Sequence, residues 1–488
     1  MLGLGVMDLL LVIAVLFVAV TGWFKHGGLI FRDAVLVLLG VVLVHLLIAG
    51  PRWQVLPAYA ALIIAMPIVT LPKRWLRFMV FPFVLTLLAV SVLASWAFPV
   101  FEIPEPTGDY AVGKTTVFLT DENRLEAYTE AESDHRKLAL KVWYPTAAPE
   151  SGSDGVYWNN AFLRSRAVTN GTPLPWFTFT HLGQVKTHAR EGAAIAAGKF
   201  PVVVYSHGLG IGWSSGNTPL LEDLASRGYI VIAIGHSFIG SATIFPDDVA
   251  YFDSATRTAM NTEPPAEVIE VYGKVKELTD PKEQLAAYME GMSMMPVSIK
   301  GKVDVALETQ AQDQLFVIDS LASLQSEDID IGLHVEENAV GVFGMSIGGS
   351  AALITCSRTD RCGAVANLDG FHPDQAALKT TAPLLNLRRP DNLLVIENAE
   401  LAESDAYVVE IADTTHFNFF DFTIMSPLYA RLGVLGPIDG REMVSVMRDF
   451  VGEFFDLYLR GEESGLLQGS EPHGSENVVL DVRRAGGA

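Results

Sequence analysis

The residues of this chain best placed to do chemistry are Gly344-Met345-Ser346-Ile347-Gly348, set directly after the apolar run AVGVF and before the helix-like GGSAALIT. Strand, sharp turn and helix form the setting in which G-x-S-x-G lifts a serine hydroxyl clear of a sheet as a nucleophile. Glycine on either side relieves crowding at the turn, and a helix that starts at the serine offers its positive end to developing charge. The pentapeptide alone occurs often by chance, so its place between strand and helix is what argues for function. A serine attacks a carbonyl only when a base takes its proton and a third group holds that base.

Three histidines follow Ser346. His473 lies in a tail rich in Gly, Ser and Glu. His372 follows too closely on the stretch ending at Asp369 to face the nucleophile easily. His416, in DTTHFNFFDF, occupies a late loop bounded by turn-formers and aromatics, and is the expected base. Asp369 ends GAVANLDG, the next apparent strand, and a carboxylate there points toward the same sheet edge as the serine. It is the expected acid. Asp413 and Asp421 flank the histidine and compete for the role, although both read equally well as surface or helix-capping groups. The oxyanion of such a reaction needs prepositioned donors. One is the backbone N–H of Ile347, and the other the backbone N–H of Leu209, in the turn His207-Gly208-Leu209-Gly210. His207 itself has no neighbour at metal-ligand spacing and reads as structural. This chemistry calls for no metal and no cofactor.

The elements that must position these groups are legible as alternation. Short β-rich stretches (TTVFL, LALKVWYP, FPVVVYSH, YIVIAIGH, AVGVFGMS, GAVANLDG) alternate with helix-like segments at 216–227, 301–325 and 440–460. VVVY and YIVIAI are continuously apolar, as strands buried on both faces are, which predicts a mostly parallel sheet flanked by helices, an α/β fold. The catalytic domain is expected over 113–465. Two stretches break the pattern and read as insertions. Residues 150–199 carry Trp158, Phe162, Trp176, Phe177 and Phe179, and residues 246–300 end in Met289, Met292, Met294 and Met295. Aromatics and flexible thioethers suit an adaptable pocket or lid, or simply the insertion's own small core. A flexible tail is expected over 466–488.

The front of the chain is different. Of 488 residues half are hydrophobic, and the excess is concentrated in 1–101, where runs without Asp, Glu, Lys or Arg cover 9–24, 34–51, 53–72 and 78–101. A bilayer core takes roughly 17–25 apolar helical residues, so a bundle of about four transmembrane helices is expected, joined by a linker at 102–112. A cleaved signal peptide fits less well, because MLGLGVMDLL has an acid and no base and three more apolar runs follow. Lys25 and Arg32 flank the first connection and Lys73, Arg74 and Arg77 fill the third, which puts both ends of the bundle outside and the body on the extracytoplasmic side. His45, an ionisable group in the second run, has no evident partner and reads as helix packing rather than an ion path. Residues 101–488 carry 28 basic and 54 acidic side chains, so nothing electrostatic favours nucleic acid. Oligomeric state is not readable.

The pieces PTGDYAVG at 106–113, VWYP at 142–145, SHGLG at 206–210, GMSIGG at 344–349, LDG at 368–370 and THFNFFDF at 415–422 occur in an order that resembles the α/β-hydrolase branch of lipoprotein-associated platelet-activating factor acetylhydrolases and related bacterial esterases. The resemblance implies a triad of Ser346, Asp369 and His416, donors at Leu209 and Ile347, and calcium-independent hydrolysis of esters with short or modified acyl chains, phospholipids among them. Met345 stands where a histidine is usual, and the secreted members lack the helical front. Both departures touch substrate identity rather than chemistry. Cys356 and Cys362 bracket SRTDR and could close a short disulfide loop outside the cytoplasm. The expected function is a membrane-anchored serine hydrolase of carboxylic esters. Its competitors are a general small-ester or polyester hydrolase, a catalytically idle binding module on the same fold, and a transporter front with the hydrolase as accessory, which two acids and no paired charge disfavour.

Overall fold

The computed structural model describes the chain apart from residues 1–4, 25–28, 68–70, 72–73, 132, 276, 279, 371–379, 394, 396–398, 400–401, 470–471 and 486–488. The chain divides into two compact units. The first combines Met1–Glu102, Val156–Val185 and Ile424–Leu432; the second combines Ile103–Gly155, Lys186–Thr423 and Gly433–Ala488.

The first unit is built on α1 (Val6–Trp23), α2 (Leu29–Ile48), α3 (Leu56–Ala65) and α4 (Arg74–Ala97), with α5 (Ala161–Thr169) from the first insertion. Leu11, Val15, Val18, Leu38, Ala58, Ala61 and Val84 form its buried core. Among the described residues two helices, α1 and the Trp75–Ala97 stretch of α4, are long and apolar enough to cross a bilayer. The expectation of about four spans is therefore corrected to two among the described residues, and the third run shows one reason. Pro57 lies in the first turn of α3 and Pro67 just past its end, and the 10 residues of α3 span only about 15 Å, half a hydrocarbon core. His45 is also not alone. Its Nε2 lies 3.0 Å from Asp8 Oδ1 and its Nδ1 2.8 Å from the Tyr59 hydroxyl, while Arg52 pairs with Asp8. The aromatic insertion packs within this unit, with Trp53 donating to Thr178 O at 3.1 Å and its ring tilted against Phe177 at 5.6 Å.

The second unit holds β1 (Ala111–Leu125), β2 (His135–Thr146), β3 (Ser153–Val156), β4 (Lys186–Glu191), β5 (Phe200–Ser206), β6 (Ile230–His236), β7 (Ala242–Ile244), β8 (Val249–Tyr251), β9 (Val335–Met345), β10 (Cys362–Leu368), β11 (Leu384–Arg388), β12 (Ala406–Ile411) and β13 (Val478–Arg483). All but the β7–β8 pair join one sheet in the order β13-β12-β11-β10-β9-β5-β6-β2-β1-β4-β3. The run from β6 to β12 is parallel, and β2 and β13 pair antiparallel at its two sides. Every residue of β5 and β6 is buried, as continuous apolar strands in a covered sheet must be.

Helices α6 (Thr218–Ser226), α7 (Ser254–Met260), α8 (Ala266–Val275), α9 (Pro281–Ser293), α10 (Val297–Ser320), α11 (Ile347–Arg358) and α12 (Gly440–Arg460) belong to the same unit. In α12, Met443, Met447, Phe450, Phe454 and Phe455 recur at helical spacing and are buried; Asp439 caps its first turn and Gly461, in the left-handed region at φ 70°, ends it. Residues 102–110 have no regular structure but are pinned, since Arg448 donates to Pro104 O at 2.7 Å and Glu105 O at 2.8 Å. The tail expected to be flexible from 466 supplies β13, whose alternation VVLDVR suits an edge strand with one face on the protein.

Candidate active site

Ser346 follows β9 and occupies the N-cap position of α11 at φ 58°, ψ −128°, a strained backbone for a residue other than glycine. A Cβ at Gly344 would lie 2.2 Å from the Gly348 carbonyl carbon, and one at Gly348 would lie 2.1 Å from Ser206 O, so both positions need glycine for close approach. The Ser346 amide donates to Leu368 O at 2.9 Å and ties the turn to β10. The Cys356–Cys362 disulfide then joins the last turn of α11 to the start of β10, so the elements carrying Ser346 and Asp369 are linked at both ends.

Asp369, buried and itself at φ 53°, lies directly past β10. His416 begins a short 3-10 turn, His416–Phe419, fixed by a capping box between Thr415 and Asn418. His416 Nδ1 is 2.6 Å from Asp369 Oδ2, and Nε2 is 2.9 Å from Ser346 Oγ. With Nδ1–H donating to the carboxylate, Nε2 is the acceptor for the serine proton. The three side chains expected to act together are thus within hydrogen-bond reach. The competitors have other work. Asp421 accepts from the Thr218 amide at 3.0 Å at the start of α6, Asp413 is exposed in the loop before His416, and His473 pairs with Asp449 at 3.1 Å. His372 lies outside the described residues.

The Ile347 amide is the first of α11, where helix amides have no intrahelical acceptor. Leu209 follows Gly208, at which a Cβ would stand 3.3 Å from Ser346 Cβ, so the turn lies flush against the nucleophile. Among the described residues the Leu209 amide has no backbone acceptor.

Two residues at the site escaped the sequence reading. Arg389 donates from its guanidinium to Asp369 Oδ2 and from its backbone to Oδ1 at 3.2 Å, and its Nη1 stands 3.2 Å from His416 Nδ1. Asn392 donates to Asp369 Oδ1 at 2.8 Å. The polar run RRPDN directly after a strand on the carboxyl side of the sheet was the available signal. The second insertion also reaches this region. Burial raises the Tyr288 hydroxyl above its ordinary range, with the charges of Arg389, Asp369 and Asp391 acting on it as well. Tyr288 pairs with Tyr272 of α8 at 5.4 Å between rings, and Met289, Met292 and Met295 beside it are half-buried.

The family model described as platelet-activating factor acetylhydrolase, isoform II, matches residues 96–460. The chain is 23% identical over 409 residues to a platelet-activating factor acetylhydrolase of Bos taurus, covering 76% of this chain and 83% of that one. A Cavia porcellus protein of the same description is 23% identical over 382 residues, covering 73% and 78%. Among solved structures, a ferulic acid esterase from Streptomyces cinnamoneus matches with a TM-score of 0.59 at 25% identity, covering 78% of this chain and 99% of that one.

Proposed function

Because the chain belongs to the family of platelet-activating factor acetylhydrolase, isoform II, and is a serine ester hydrolase of the α/β-hydrolase type, we propose that Ser346 is its nucleophile, His416 its general base and Asp369 the group that holds the base. The reading is carried by the unbroken chain from Asp369 through His416 to Ser346, at 2.6 and 2.9 Å. As Ser346 Oγ attacks the ester carbonyl carbon, His416 Nε2 takes the hydroxyl proton, and the Leu209 and Ile347 amides receive the oxyanion. Collapse expels the alcohol, which leaves with the proton from His416, and an acyl-serine remains. Water, deprotonated by His416, attacks that acyl group and releases the acid.

The substrate class we propose is short-acyl or modified phospholipid esters, which the relatives' activity supports. A second reading, a small-ester hydrolase without lipid preference, is favoured by the match to nearly the whole of a ferulic acid esterase. The first unit serves as a membrane tether in this proposal. Leu47, Ile48, Ile63 and Phe78 are between 68 and 77% exposed, large apolar side chains that a bilayer would cover. The disulfide supports an oxidising, extracytoplasmic setting for the catalytic unit. A series of acyl esters and phospholipids of rising chain length, assayed with wild type and Ser346→Ala, tests both parts. The substitution should lower kcat by roughly 10⁴-fold or more, and activity surviving it would refute the nucleophile. Preference for short-acyl phospholipid over simple ester supports the lipid reading, and the reverse supports the second.

A further inference from the structure

A second serine, histidine and carboxylate chain runs through the interior. His236, the last residue of β6, places Nε2 2.9 Å from Ser206 Oγ and Nδ1 2.7 Å from Asp313 Oδ2, nearly the spacings found at Ser346. Ser206, His236 and Asp313 are wholly buried, so no ester reaches them. The bonding pattern fixes a direction. Arg136 donates to Asp313 at 2.6 and 3.1 Å and keeps it a carboxylate, which accepts from His236 Nδ1–H. His236 Nε2 then accepts the Ser206 hydroxyl. Ser206 Oγ in turn accepts from Gln314 Nε2 at 2.8 Å, and Gln314 Oε1 accepts from Thr355 Oγ1 at 2.6 Å. One hydrogen-bonded line therefore ties β2, β6, β5, α10 and α11 at the point where β5 ends.

The turn that carries Leu209 begins directly after Ser206. His207 Nδ1–H donates to Gly208 O at 2.8 Å, His207 Nε2 accepts from the His236 amide at 3.4 Å, and Gln310 Nε2 donates to His207 O at 3.1 Å. Burial pushes the His207 imidazole down to about 3 and lowers His236 as well, so both stay neutral and keep these roles. Gly208 O and the Leu209 N–H belong to one planar trans peptide and point to opposite sides of it. Holding the carbonyl toward His207 therefore sets the direction of the Leu209 N–H.

We propose that Ser206, His207 and His236 are positioning residues for the Leu209 oxyanion donor, the Ser206–His236–Asp313 chain anchoring the end of β5 rather than forming a second nucleophilic centre. The inference rests on the reading of Ser346 as nucleophile. Its test measures kcat and KM on a soluble short-acyl ester, affinity for a trifluoromethyl ketone, and fluorophosphonate labelling mapped by mass spectrometry, for Ser206→Ala, His236→Gln and Gln310→Met. Loss of an aligned oxyanion donor should lower kcat by about 10- to 1000-fold while KM moves by less than about threefold. Trifluoromethyl ketone affinity should fall in step with kcat/KM, a correlation that general loosening of the fold would not give. Fluorophosphonate should leave Ser206 unlabelled in Ser346→Ala. Gln310→Met removes only the bond to the His207 carbonyl and decides the matter where the other substitutions unfold the protein. Wild-type kcat in folded Ser206→Ala or Gln310→Met, or a labelled Ser206, would overturn the inference. Undiminished hydrolysis by Ser346→Ala would instead sink the reading beneath it.

Discussion

Asp369 has more partners than one imidazole requires. Besides His416 it accepts from the Arg389 guanidinium and backbone and from Asn392, all at a residue with no solvent exposure. A polar group buried there without partners would be costly, so these donors satisfy both oxygens and fix the carboxyl group beside His416 Nδ1. Asp369→Asn should lower kcat by roughly 10³- to 10⁴-fold, because the amide can present its N–H and turn the imidazole to the wrong tautomer. Arg389→Met should cost less, about 10- to 100-fold in kcat/KM, on the scale of one hydrogen bond to a charged group. Steady-state kinetics on one ester checks both, and an Arg389→Met enzyme as fast as wild type would remove Arg389 from the account. The placement of Ser346 between strand and helix was legible from its pentapeptide, and that of Asp369 from the strand that stops before it. Arg389 was not, since it meets Asp369 only through the pairing of β10 with β11, and a basic turn looks like any solvated turn.

At the scale of elements, β5, β6 and α10 hold ionisable groups in their interior, and this gives the fold an acid limit. His207 and His236 are lowered by burial, so the unfolded chain binds protons at a pH where the folded one does not. Stability is therefore complete above the ordinary histidine value near 6.5 and declines as the pH falls from there toward about 3. The slope for each such group is roughly 1.4 kcal/mol per pH unit. Burial alone would raise Asp313, but Arg136 and His236 outweigh it and hold the carboxyl well below the usual range, so its contribution is lost only below roughly pH 4. Urea denaturation from pH 7 to 4 should show falling stability, and His207→Gln should flatten the slope; an unchanged slope would mean that His207 is not held neutral. The parallel strands were readable from their continuous apolar runs. The shortness of α3 follows from Pro57 and Pro67, both legible in the sequence as the weak points of the third run. β13 was missed because six alternating residues in a Gly- and Ser-rich tail carry little pattern of their own.

The whole molecule joins a helical unit assembled from three separate stretches of chain to a sheet unit that carries the site. No periodicity reveals that 156–185 packs with the N-terminal helices, because Trp53, Phe98, Phe177 and Phe179 come together only in the folded unit. A membrane tether would act on the molecule as a whole. Alkaline carbonate should leave the full chain in the membrane pellet, while detergent should release it in active form; release by carbonate alone would remove the tether. The acidic balance of residues 101–488 was plain from composition. At the far end of the chain, β13 covers the outer edge of β12, with Ala406 opposite Arg483 and Ile411 opposite Val478, and Asp405 clasps Arg484 and the Ala485 amide. Those last residues act as a stopper: they put a strand bearing Asp481 and Arg483 at the rim in place of the apolar β12, and charge on a rim discourages the next copy from pairing with it.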